Sequence, residues 1–123
     1  MLVVCNGMPR AGSTLQWNLV CELAEATGYG APIGATALDS ISQDGVDAAS
    51  RGERIYVVKQ HDVWPGLIER VQRNEPGIRV CYIYRDLRDV AVSMQNKWSR
   101  TWEALLQALD EAVTAYEALV VDP

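Results

Sequence analysis

Apolar residues along this chain switch repeatedly between two periodicities. Leu2-Val3-Val4-Cys5, Arg54-Ile55-Tyr56-Val57-Val58-Lys59 and Arg79-Val80-Cys81-Tyr82-Ile83-Tyr84 are short, β-rich runs that predict three strands. Helical spacing predicts a helix from Ser13 to about Thr27, with Leu15, Leu19, Val20 and Leu23 as its apolar stripe. Ser13 or its neighbour is placed to cap that helix, and Gly28 and Gly30 to stop it. Further helices are expected over about Pro65 to Arg73, Asp89 to Trp98, and Thr101 to Val120. The last carries the stripe Leu105, Leu109, Val113 and Tyr116. Residues 28–52 are small and turn-rich, which predicts a poorly defined connection with a short helix near 40–50. Strands alternating with helices make a single α/β domain over residues 1–123, three-layered with a parallel sheet, the economical architecture.

Composition narrows the function classes. At 49% hydrophobic and 22% charged residues the chain is globular rather than disordered. Its net charge of -5 argues against nonspecific nucleic-acid binding. Nine arginines against two lysines suit planar, bidentate recognition of phosphate-like groups. No base follows Arg100, whereas five acids do, so an anion site is expected in the first hundred residues. Cys5, Cys21 and Cys81 lack metal-site spacing and read as small buried apolar residues in a reduced, cytoplasmic setting. No apolar run approaches a membrane span, and no leader-like segment precedes the first strand.

Candidate chemistry begins between the first strand and the first helix. Gly7 and Gly12 stand at the two glycine positions of the phosphate loop GxxxxGK followed by Ser or Thr, but Ser13 replaces its lysine. Backbone N–H groups of Ala11, Gly12, Ser13 and Thr14 can cradle an oxyanion at the positive end of a helix. The Ser13 and Thr14 hydroxyls can donate to it and Arg10 can neutralise it. His61 is the one histidine of the chain and a candidate general base, and Lys59 lies two residues earlier on the same side of an extended strand. Lys59 can stabilise charge growing on a transferred group. Arg85, first polar residue after the third strand, and Ser93 two helical turns on form a second candidate anion pair. A salt-bridged surface cluster is the alternative there, since Asp86, Arg88 and Asp89 surround Arg85. Ligands in open parallel sheets bind outside the carboxyl ends of the strands, so Arg10, Lys59, His61 and Arg85 are expected around one crevice. Trp98 and Trp102 are expected to pack as core or rim.

These segments resemble the sulfotransferases that use 3'-phosphoadenylyl sulfate (PAPS). Met8-Pro9-Arg10-Ala11-Gly12-Ser13-Thr14-Leu15 resembles the family's 5'-phosphosulfate loop, and Val58-Lys59-Gln60-His61 resembles its Lys-x-His segment. Tyr82-Ile83-Tyr84-Arg85-Asp86-Leu87-Arg88-Asp89-Val90-Ala91-Val92-Ser93 resembles its 3'-phosphate segment, the most specific of the three. The resemblance covers about residues 2–100 and implies a P-loop nucleotide-hydrolase-like fold. It implies Arg10 as loop cation, Gly12 to Thr14 as cradle, Arg85 and Ser93 as 3'-phosphate ligands, His61 as base and Lys59 as companion cation. The implied reaction is in-line, metal-free transfer of a sulfuryl group from PAPS to a small-molecule or carbohydrate acceptor, leaving PAP.

The chain departs from the family pattern at several points. Ala11 stands where many members carry serine, and Leu15 where cytosolic members often carry tryptophan. Members continue into another strand and a basic, glycine-containing loop, so the resemblance implies a domain truncated at its C-terminus. A truncated sheet would leave an exposed edge and apolar face, which predicts self-association. The alternatives are a PAPS- or PAP-binding fragment without catalysis, and a P-loop kinase-like phosphotransferase. The latter is disfavoured by Ser13 in the lysine position and by Asp86 as its only magnesium carboxylate candidate.

Overall fold

The computed structural model describes residues 1–35, 43–61, 63 and 65–120. Four strands, β1 (Leu2–Gly7), β2 (Gly30–Ala35), β3 (Ile55–Lys59) and β4 (Ile78–Ile83), alternate with helices α1 (Ser13–Ala26), α2 (Gln43–Arg51) and α3 (Pro65–Gln72). Two further helices follow β4, α4 (Leu87–Trp98) and α5 (Trp102–Leu119). All pairings are parallel, and the strand order is β2-β3-β1-β4.

β1 is central and every one of its residues is buried, as its unbroken apolar run predicts. It pairs with β3 from Leu2↔Tyr56 to Cys5↔Lys59, and with β4 from Leu2↔Ile78 to Gly7↔Ile83. Side chains alternate between its two faces, and each face has its own core. Leu2 and Val4 join Val58, Ile78, Val46, Ala49, Leu67 and Leu119, which brings α2, α3 and α5 to one face. Val3, Cys5 and Val57 meet Cys21 and Ala24 of α1 on the other. The sheet thus has helices on both sides. Each fully buried Val or Leu contributes about 1.5–3 kcal/mol relative to exposure, so these two cores hold the layers together. A third cluster, Val90, Met94, Leu105 and Ala108, fastens α4 to α5.

Two expectations are corrected. The sheet has four strands, not three, because Gly30–Ala35 forms β2 inside the stretch expected to be a loose connection. β2 is an edge strand whose register shifts between Pro32 and Gly34, and an edge tolerates a proline that cannot donate to the ladder. Within the same stretch, the expected short helix is α2, while residues 36–42, where that helix is expected to begin, lie outside the described residues.

The second correction concerns α1. Leu15, Leu19 and Leu23 are 65%, 51% and 70% exposed, so they are not its core stripe. The helix instead packs through Cys21 and Ala24, supported by Trp17 and Val20, because small residues allow closer approach to the sheet. Its N-cap is Gly12, the neighbour of Ser13, with no side-chain cap, and Ser13 is the first helical residue and buried.

Gly7 closes β1 in close quarters with β4. A side-chain carbon there would run into the Cγ2 of Ile83 and lie 2.6 Å from its carbonyl oxygen. Gly7→Ala should therefore lower unfolding stability by about 1–3 kcal/mol, the usual cost of overpacking, read from the midpoint of urea denaturation. An unchanged midpoint would show that β1 and β4 can separate at that point without loss.

Candidate functional site

The loop leaving β1 is shaped by backbone conformation. Met8 N–H donates to the Ile83 carbonyl at 3.0 Å, and Ala11 N–H donates back to Met8 at 3.2 Å. Arg10 and Gly12 both take left-handed φ values, 62° and 97°, so the chain turns sharply into α1. The first α1 bond runs from Gln16 N–H to Gly12 at 3.0 Å, which leaves the N–H groups of Ser13, Thr14 and Leu15 without intrahelical acceptors. They lie at the positive end of the helix dipole, next to Arg10.

Side chains from three other places converge on this loop. Arg10 donates through Nε to Ser93 Oγ on α4 at 3.1 Å, a contact across 83 residues of sequence. From the end of β3, Lys59 donates through Nζ to Thr14 Oγ1 at 2.7 Å. His61 places Nδ1 3.3 Å from the Gly7 carbonyl. A carbonyl can only accept, so Nδ1 is the donor in this contact, and in the neutral imidazole the lone pair is on Nε2. Pro9, Arg10, Gly12, Ser13, Thr14, Lys59 and His61, with Lys97 and Trp98 of α4, line a cavity of about 470 Å³.

Arg85 and Ser93 lie in an adjoining hollow of about 390 Å³, shared with Arg10, Asp89, Asn96 and Lys97. The expected single crevice is thus two compartments. Arg10 and Lys97 line both, whereas His61 and Lys59 open only into the first and Arg85 only into the second. Arg85 donates through Nε and Nη2 to Asp89 Oδ2 at 3.2 and 3.1 Å. The pair is exposed and of little value for stability. Two of five guanidinium N–H donors are engaged, leaving about three.

α4 begins where the apolar strand gives way to the Arg-Asp run. Asp86 is its N-cap: its carboxylate accepts from Arg88 N–H at 2.9 Å and from the Arg88 side chain at 3.0 and 2.8 Å. The Arg88 guanidinium, followed by that backbone N–H, holds the Asp86 carboxyl down at about 2. Asp86 is therefore committed to starting the helix that carries Ser93 and Lys97.

Sequence reasoning missed Lys97 and Asn96 and placed Trp98 in a packing role. Lys97 was legible in principle, because Asp89, Ser93 and Lys97 recur every four residues and so share one helical face. Trp98 is exposed and lies between two cations, with Arg10 5.9 Å and Arg100 4.9 Å from its ring. Such contacts are worth about 0.5–1 kcal/mol each at exposed sites. Neither follows from local spacing, since each requires the fold.

His61 also borders a further cavity of about 470 Å³, walled by Ile68, Tyr82, Met94, Trp98 and four alanines of α5, with Arg100, Asp110, Glu111 and Thr114 among its lining. Tyr82 is anchored there by donating to the Ala112 carbonyl at 3.0 Å, and burial pushes its hydroxyl up to about 12. His61 and Trp98 line both this mixed space and the cationic one.

No family model, curated protein or solved structure matches the chain.

The Asp86 cap should be visible in acid. Its carboxyl titrates lower in the folded protein than in the unfolded chain, so its contribution is complete above about pH 4 and disappears as pH falls toward 2. Asp86→Asn should accordingly lose less thermal stability than the wild type between about pH 4 and 2. Parallel acid profiles in thermal melts of the two proteins would show that the cap carries no such linkage.

Proposed function

We propose that this chain is the cofactor-binding and transfer core of a PAPS-dependent sulfotransferase, with a P-loop-like site. The observation that carries the reading is the Arg10–Ser93 hydrogen bond. It joins the loop resembling the 5'-phosphosulfate cradle to the segment resembling the 3'-phosphate site, two regions remote in sequence. The donor set suits the cofactor: one compartment offers helix N–H groups, Arg10, Lys59 and Lys97, and its neighbour offers Arg85 and Ser93. PAPS would supply an activated sulfuryl group.

Each residue then has a distinct task. The N–H groups at the start of α1 and Arg10 hold the 5' anionic end, and Arg85 and Ser93 hold the 3'-phosphate. Lys59, already seated on Thr14, stabilises negative charge that accumulates on the oxygens around the transferred group. His61, its Nδ1 proton directed to Gly7, accepts the acceptor's proton at Nε2. The acceptor, a small molecule or carbohydrate bearing a hydroxyl or amine, approaches from the second cavity beside His61. The kinase-like reading is weakened by Asp86, which is bound up in its helix cap and arginine pair.

A transfer assay with radiolabelled PAPS and a panel of phenolic, aliphatic and sugar alcohols tests the reading. His61→Ala should cut turnover by about 100-fold or more while leaving PAP affinity, measured by calorimetry, within about twofold of the wild type. PAP binding without transfer to any acceptor would identify a nucleotide-binding module instead. No PAP binding at all would remove the cofactor assignment.

A further inference from the structure

The three cysteines, widely spaced in sequence, gather on the α1 side of the sheet. Cys5 and Cys81 are direct cross-strand partners in the β1–β4 register and pack in one cluster. Cys21 of α1 packs against the same cluster. Partners in neighbouring parallel strands project to the same face, with backbones about 4.8 Å apart. That spacing lies within the Cα separation of about 4.4–6.8 Å that a disulfide spans. The two thiols differ in access: Cys5 is fully buried in the central strand, whereas Cys81 lies on edge strand β4 and is partly exposed. The proposed transfer chemistry uses neither.

We infer that Cys5 and Cys81 form a reversible thiol–disulfide modification site, with Cys81 oxidised first by a hydroperoxide and Cys5 resolving it. The Cys81 thiolate attacks the peroxide, breaking its O–O bond; one oxygen stays as Cys81 sulfenic acid and the other departs as hydroxide, which becomes water on protonation. The Cys5 sulfur then attacks the Cys81 sulfur, breaking its S–O bond. The sulfenic oxygen leaves as water, taking up the Cys5 proton, and an intrachain disulfide remains. A small dithiol reverses it. The geometry favours this order. Pairing with Cys5 lowers the Cys81 thiol to about 7, and the same pairing, with burial, pushes Cys5 far up. The more exposed sulfur is thus also the more readily ionised. Among the described residues no three His, Cys, Asp or Glu side chains are placed to hold a metal ion, so the cluster is read as redox chemistry. The new link would tie β1 to β4 two residues before Gly7, directly below the anion loop.

Intact-protein mass spectrometry after hydrogen peroxide treatment tests this on the full chain. The expected result is loss of two hydrogen masses, reversal by dithiothreitol, and one cross-linked peptide pair joining Cys5 to Cys81. Cys5→Ser should instead accumulate a sulfenic acid on Cys81 that dimedone traps, and Cys81→Ser should abolish both products. Peptide mapping of the wild type needs no variant, so a variant that misfolds cannot obscure the answer. A link to Cys21, an interchain disulfide, or conversion of Cys81 directly to sulfinic acid would each overturn the inference.

Discussion

Strand β1 is paired along both edges and buried on both faces, and the remainder of the molecule depends on that confinement. Because it is central, whatever leaves its carboxyl end emerges at the middle of the sheet. Gly7 lets β4 press against that end, and the left-handed turns at Arg10 and Gly12 reverse the chain into α1. The loop is thus rooted in the buried central strand, and Met8 on Ile83, Arg10 on Ser93 and Lys59 on Thr14 fix its course. Such support is what a site built from backbone N–H groups requires, since its donors are only as well aimed as the backbone is fixed.

Around this fixed point the other elements deliver one kind of chemistry each. β3 brings Lys59 and His61, and α4 brings Ser93 and Lys97 because Asp86 starts that helix immediately after the strand. Arg10 bridges the loop to α4, and its ring neighbour Trp98 lines both the cationic compartment and the cavity beside it. His61 occupies the same boundary. Under the proposed function, that position lets His61 join a donor in the cationic compartment to an acceptor in its neighbour. That division, rather than any single residue, makes group transfer the economical reading.

Much of this was legible in the chain itself, for identifiable reasons. β1, β3 and β4 are dense runs of β-branched and aromatic residues, and the candidate anion ligands follow them directly, so local pattern and topology agree. β2 was not legible: Gly-Ala-Pro-Ile-Gly-Ala has turn composition, and only pairing with β3 makes it a strand. The leucines of α1 misled because helical periodicity marks an apolar stripe without saying which stripe meets the sheet. There Cys21 and Ala24 prevail by being small. The Cys5–Cys81 contact and the stacking of Arg10 and Arg100 on Trp98 depend on strand register and helix placement, which no spacing rule encodes.

The central claim is that the loop after β1 and the start of α4 together bind one ligand carrying anionic groups at both its 5' and 3' positions. Calorimetry comparing PAP with adenosine 5'-monophosphate, which lacks the 3'-phosphate, tests it most directly. A charge-assisted contact from Arg85 is worth about 1.5–3 kcal/mol, so PAP should bind about 10- to 100-fold more tightly, and Arg85→Ala should erase the difference. Equal affinities for the two nucleotides in the wild-type protein would contradict the account.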